Sequence, residues 1–137
     1  MLFIEWEDTQ MAKFRLMSDL HLETTDFQYW YAGEDVLVLA GDIHTNNRLH
    51  LLLEQVPIHV KVIFVAGNHE YYNEEYNEVN KYFKSLEYKN NFVFLNNQSV
   101  VVEGVPIYGG TMFTDFNLRN DAWFDRQHAK NGVADFT

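Results

Sequence analysis

Six residues in three short runs are of the types that hold metal ions and move protons: Asp19 and His21, then Asp42, then Asn68, His69 and Glu70 in immediate succession. The chain has no cysteine, so any metal must rest on oxygen and nitrogen donors. Two divalent ions about 3.5 to 4 Å apart can clamp a phosphoryl group, with one carboxylate between them and a bridging hydroxide as nucleophile. The three runs match that need. Asp19 and His21, one residue apart on a turn, can address the same ion. Asp42 can lie between two ions, and Asn68 offers a neutral amide oxygen to the second. His69 follows directly and can face the substrate as an acid or as a hydrogen-bond donor in the transition state. Glu70 is placed to orient an imidazole from behind.

Each run stands at the end of an apolar segment that reads as a β-strand. Phe14 to Ser18 leads into Asp19-Leu20-His21, Val36 to Gly41 into Asp42-Ile43-His44, and Val62 to Gly67 into Asn68-His69-Glu70. Runs this apolar have both faces covered, as in a parallel α/β sheet, and in such sheets ligands gather where the strands end at their carboxyl edge. The glycines before Asp42 and Asn68 allow the sharp turns that bulkier residues would crowd against an ion. Alone, each run is ordinary turn chemistry. Together, in this order and each at a strand end, they read as one site.

Ser18-Asp19-Leu20-His21, Ala40-Gly41-Asp42-Ile43-His44 and Gly67-Asn68-His69-Glu70 resemble the first three signature blocks of the calcineurin-like metallophosphoesterases. Met17 to Glu23, Val65 to Tyr72 and Gly109 to Phe116 are similar to a bacterial and phage branch of that superfamily. The resemblance runs from Lys13 to Phe116. It implies an α/β sandwich, a mixed, largely parallel sheet flanked by helices, and a metal-dependent phosphoester hydrolase. It places Asp19 and His21 on the first metal, Asp42 as the bridge and Asn68 on the second. His69 then acts on the leaving group or the phosphoryl oxygens. The implied cofactors are two divalent ions, manganese first, with iron, zinc or nickel as alternatives.

The match breaks after the third block. The family supplies two later blocks, a histidine at another strand end and a Gly-His-x-His, and neither is found here. The histidines are His21, His44, His50, His59, His69 and His128, and His128, in Arg126-Gln127-His128-Ala129, fits neither block. The second ion is left short of ligands, and the fold is expected to be incomplete at its C-terminus, with apolar surface exposed where covering strands are missing. Three explanations compete: an incomplete copy of a longer enzyme, a half that completes its site with a second chain, or a non-catalytic interaction scaffold with a vestigial metal site. A nucleotide-binding domain without metal is disfavoured, because no glycine-rich phosphate loop follows the first strand.

At 137 residues, 47% apolar and 16% aromatic, the chain suits one globular domain. It divides into an N-terminal extension over residues 1–12, with Met11 as an alternative start, and a phosphoesterase domain over 13–137. The net charge of -10 argues against a nucleic-acid backbone as partner, though a metal-mediated contact stays open. The expected partner is a phosphorylated substrate of unread class. No run approaches the roughly 18 apolar residues of a membrane span, and a cytoplasmic location is the default. Helices are expected over Thr45 to Val56, capped by Thr45 or Asn46, and over Asn73 to Leu86. Phe92 to Leu95 reads as a fourth strand, Val100 to Tyr108 as a hairpin turning at Gly104, and Ala122 to Ala129 as helical. Phe27, Tyr29, Trp30 and Tyr31 form either an aromatic cover on the sheet edge or a wall facing the substrate.

Overall fold

The computed structural model describes residues 11–45, 47–89, 91–117 and 120–132. The N-terminal segment expected ahead of the first strand, and with it the choice of start, lies outside them up to residue 10. Strands β1 (Phe14–Met17), β2 (Val36–Ala40), β3 (Lys61–Val65) and β4 (Phe92–Phe94) form one parallel sheet in the order β1-β2-β3-β4. Leu16 pairs with Val38, Val38 with Ile63, and Ile63 with Val93, so the strands align and end together. The continuous apolar runs are explained by what covers each face.

On one face, helices α1 (Leu49–Leu53) and α2 (Tyr76–Ser85) bury Leu49, Leu52, Leu53, Val79 and Phe83 against Leu37, Leu39, Val62, Phe64, Phe92 and Phe94. Phe64 sits among the rings of Phe83, Phe92 and Phe94. On the other face, Val36, Ile63 and Leu95 meet Val100, Val102 and Ile107 from an antiparallel hairpin of β5 (Gln98–Val102) and β6 (Val105–Gly109). The hairpin turns through Glu103 (φ 51) and Gly104 (φ 75), the paired positive angles whose twist suits adjacent antiparallel strands. A last helix, α3 (Ala122–Gly132), follows the loop after β6. The expected fold class holds: a parallel sheet flanked by helices, with a second small sheet behind it.

The first two predicted helices begin later than expected, while α3 begins at Ala122 as expected. The first starts at Leu49, with Arg48 as its cap residue and no capping side chain. Its intended first turn is diverted, because the backbone N–H groups of Ile43 and His44 are held by Glu70 and Asn47 takes a left-handed φ of 53. The second starts at Tyr76, after Asn73 turns left-handed (φ 59), and Glu75 caps it by accepting from the Glu78 N–H at 2.9 Å. The apolar stripes still land where periodicity puts them.

The face opposite the long helices is covered only in part among the described residues. Leu16, next to Val38 on that face, is 70% exposed, and Met112 in the loop after β6 is 98% exposed. An open apolar trough of about 1060 Å³ runs beside the ends of β2 and β3, lined by Val65, Tyr71, Tyr72, Tyr108, Met112 and Phe113. Apolar surface was expected to be exposed on one side of the sheet, and among the described residues it is.

The aromatic loop between β1 and β2 is a cover. Phe27 and Tyr29 pack on the core. Arg15 reaches from β1 to the Trp30 carbonyl at 2.6 Å, with its guanidinium 4.4 Å from the Trp30 ring centre. Buried Glu34 accepts from Arg15 (3.3 Å), the Tyr29 hydroxyl (2.5 Å) and the Ala32 N–H (2.8 Å).

Candidate metal centre

Past their last paired residues, the loops after β1 and β2 stay zipped together. The N–H of Asp19 donates to the Gly41 carbonyl (3.1 Å), that of His21 to Asp42 (3.1 Å), and that of Leu22 to Ile43 (3.0 Å). Within this seam Asp19 (φ 54), His21 (φ 45) and Asp42 (φ 54) are all left-handed. Such angles are uncommon away from glycine, and they gather where surrounding contacts hold a functional geometry in place.

Glu70 ties the third loop to the second. It is 1% exposed, in the short 3₁₀ turn His69–Tyr71 that follows β3. Its carboxylate accepts from the backbone N–H groups of Gly67 (2.7 Å), Asp42 (3.0 Å), Ile43 (2.6 Å) and His44 (3.2 Å). Burial pushes this carboxyl above the usual range, with the four N–H donors pulling the other way. The role expected for Glu70, orienting an imidazole, is therefore corrected: it organises backbone.

Asp42 is fixed from a second side. Its Oδ1 accepts the His69 N–H at 3.1 Å, and Gly67 lies against it so closely that a Cβ there would strike its carboxylate. A Cβ on Gly41 (φ 87) would in turn stand 3.0 Å from the Gly67 backbone. The sharp turn expected at Gly41 is there, and the space beside Gly41 and Gly67 is filled by Asp42 and by the glycines' own backbone.

The result is a cluster. One ligand atom each from His21, Asp42 and His69 lies within 4.8 Å of the others, and all three residues are half-buried. Three donors on one ion at about 2.1 Å lie roughly 3.0–3.6 Å from one another, so the group has to close by up to about 1–2 Å to share an ion. Two imidazoles and a carboxylate suit manganese, iron, nickel or zinc. The His21 and His69 rings meet edge to face, with centroids 4.4 Å apart.

Not every candidate joins them. The Asp19 carboxylate, exposed at the rim, lies outside this cluster. The Asn68 amide donates to the Tyr72 hydroxyl at 2.9 Å, on the trough side. His44 is buried behind the loop, its Nδ1 without a partner and its imidazole pushed down by burial. His50 meets the Tyr82 hydroxyl (2.9 Å), His59 meets Tyr31, and His128 stacks on Phe124 within α3.

Glu23 escaped the reading of single residues. Its Oε1 lies 3.2 Å from Nδ1 of His21 and 3.3 Å from Nδ1 of His69. Burial raises its carboxyl, but its backbone hydrogen bond and the two imidazoles outweigh that and leave it below the usual range. The one available signal was its position two residues after His21.

A family model described as calcineurin-like phosphoesterase matches residues 12–135. An uncharacterized protein of Acanthamoeba polyphaga mimivirus is 27% identical over 134 residues, which cover 78% of this chain and 46% of that protein. The chain thus spans about half the length of that curated relative. The family match takes in all three strand ends and the loops that bring His21, Asp42 and His69 together, and on that match the chain belongs to the calcineurin-like phosphoesterase family.

Proposed function

We propose that the chain bears the site of a metal-dependent phosphoester hydrolase, with two divalent ions held by Asp19, His21, Asp42 and Asn68. The observation that carries this reading is the convergence of His21, Asp42 and His69 at the carboxyl edge of a parallel sheet. Bound ions supply Lewis acidity towards the phosphoryl oxygens and an activated water. The protein's own groups do the rest. Asp42, held through its backbone by Glu70 and through Oδ1 by the His69 N–H, is the ligand that would lie between the two ions. His21 would offer a ring nitrogen to the first ion. His69 holds a proton for the leaving oxygen, with Glu23 stabilising its imidazolium. The trough beside Asn68 lies on the second ion's side, where the family's later histidine blocks have no counterpart among the described residues. Manganese is the first ion to try, and the substrate is a phosphoester of unassigned class.

A second reading, an interaction scaffold with a vestigial site or one half of a two-chain enzyme, is favoured by the exposed apolar face around Leu16 and Met112. The Asp42→Asn variant separates the readings. A hydrolase shows manganese-stimulated cleavage of an aryl phosphate that this variant abolishes while its melting curve is retained. Absence of metal-stimulated cleavage in the unaltered chain at every concentration would sink the enzyme reading for this chain alone. Cleavage that rises more steeply than linearly with concentration would identify the two-chain form.

A further inference from the structure

We infer that Glu23 is a positioning residue shared by two histidines: one carboxylate oxygen fixes the tautomer and the orientation of both His21 and His69. This deepens the reading of the site given above and rests on it. Glu23 Oε1 stands within hydrogen-bond reach of Nδ1 on each ring, at 3.2 and 3.3 Å. A carboxylate only accepts, so each Nδ1 carries the hydrogen. Each Nε2 is then the ring's lone-pair nitrogen when neutral, and it is the atom the ring has left to offer a ligand. Metal-binding histidines are commonly held this way, with the second ring nitrogen donating to a carboxylate that sets the tautomer and raises ligand basicity.

Here one oxygen does this for two rings that come from different strand ends. His21 sits on the loop after β1 and His69 on the turn after β3, 46 residues from Glu23. The rings cross at 74°, so a single acceptor between them holds both at a fixed mutual angle. Glu23 is itself held from its own loop: the Thr24 and Thr25 N–H groups close onto the His21 carbonyl at 2.8 and 3.1 Å, turning the chain back under the site. Two features make the arrangement specific. Aspartate at 23 would be too short to span both nitrogens. Glutamine keeps one accepting oxygen with two lone pairs, so among neutral side chains of this length it can stand in for the carboxylate between the two rings.

The test is nitrogen-15 NMR of the imidazoles of the metal-free chain in alkaline buffer, together with manganese titration of the unaltered protein, Glu23→Ala and Glu23→Gln. Histidine in water prefers the Nε2–H tautomer, so Nδ1–H on both rings is a distinctive signature. The expected result is Nδ1–H at His21 and His69 in the unaltered chain, loss of both in Glu23→Ala, and retention of both in Glu23→Gln. Manganese binding weakens about 10- to 100-fold in Glu23→Ala. A melting curve run beside each titration shows that the variant is folded. An Nε2–H tautomer at either ring in the unaltered chain overturns the proposal, as do tautomers or manganese affinity that survive Glu23→Ala. The tautomer readout needs neither metal nor turnover. A chain that shows the signature yet hydrolyses nothing leaves Glu23 as positioned and fails only the enzyme reading.

Discussion

Replacing Glu70 with alanine removes one side chain and strands four backbone N–H groups, those of Gly67, Asp42, Ile43 and His44, in a pocket where Glu70 itself is 1% exposed. A buried donor left without a partner costs about 1–3 kcal/mol. The four share one acceptor and do not add independently. Water entering the vacated volume recovers some of the loss, as does relief from burying a carboxylate. A net destabilisation of roughly 3–5 kcal/mol follows, a large part of the ~5–15 kcal/mol that holds a domain folded. For a chain of this size that lowers the melting temperature by roughly 10–20 °C. The same change frees the Asp42 loop, so manganese affinity, measured well below the melting range, is expected to fall at least about tenfold. The assays are a thermal melt and a calorimetric titration at low temperature. A variant that melts within about 2 °C of the parent would show that solvent or a shifted loop satisfies those donors as well as the carboxylate does. Unchanged manganese affinity would show that Asp42 does not depend on the clasp.

Two further outcomes follow from other parts of the molecule. Burial raises the Glu34 carboxyl, but hydrogen bonds from Tyr29, the local backbone, Ala32 and Arg15 outweigh it and leave it below its ordinary value. A depressed folded value means the stabilisation is complete above the unfolded value near ~4.3 and is lost as pH falls through the folded one. The urea midpoint should therefore drop more steeply below pH 4 in the parent than in Glu34→Gln. Equal slopes would show that Glu34 is not the group responsible. At the proposed metal centre, the His21 imidazole beside the carboxylates favours nickel or zinc over manganese in affinity and leaves magnesium and calcium less well served. Competition titrations should show zinc displacing manganese, with millimolar magnesium displacing neither; displacement by magnesium would argue for an oxygen-only site without the histidines.

The strands were legible because both faces of each are covered, so Val36 to Ala40 and Lys61 to Val65 read as unbroken apolar runs. The helical stripes were legible for a related reason: Leu49, Leu52, Leu53, Val79 and Phe83 had to be buried, whatever the helix ends did. The helix starts were not, since they are decided by distant partners. Thr45 looks like a cap, but the backbone just before it is already bound to Glu70, 26 residues away. The types at the site could be read from their place at strand ends. Their backbone angles could not, because nothing local in Asp19, His21 or Asp42 demands a positive φ; the seam between the two loops imposes it.

Glu70 and Glu23 show why the orienting carboxylate was assigned to the wrong residue. Glu70 is the sequence neighbour of His69, and adjacency suggested a partnership. In a 3₁₀ turn, successive side chains diverge by about 120°, so the turn that sends the His69 ring to the site sends the Glu70 carboxylate away from it, into the core. A carboxylate that meets the His69 ring must then come from another segment. The loop after β1 is the one that reaches, because its left-handed residues fold it over the strand ends and the two turn bonds to the His21 carbonyl bring Glu23 back beneath both rings. The site is thus fixed by two glutamates with opposite tasks. Buried Glu70 gathers main-chain donors and sets where Asp42 stands, while Glu23 gathers ring donors and sets which nitrogen each imidazole has left to offer. Moving the strand-end residues alone onto another parallel sheet would carry over the donors but neither constraint. Such a graft would be a set of ligands free to turn, with affinity lost to the rotations that Glu23 and Glu70 suppress here.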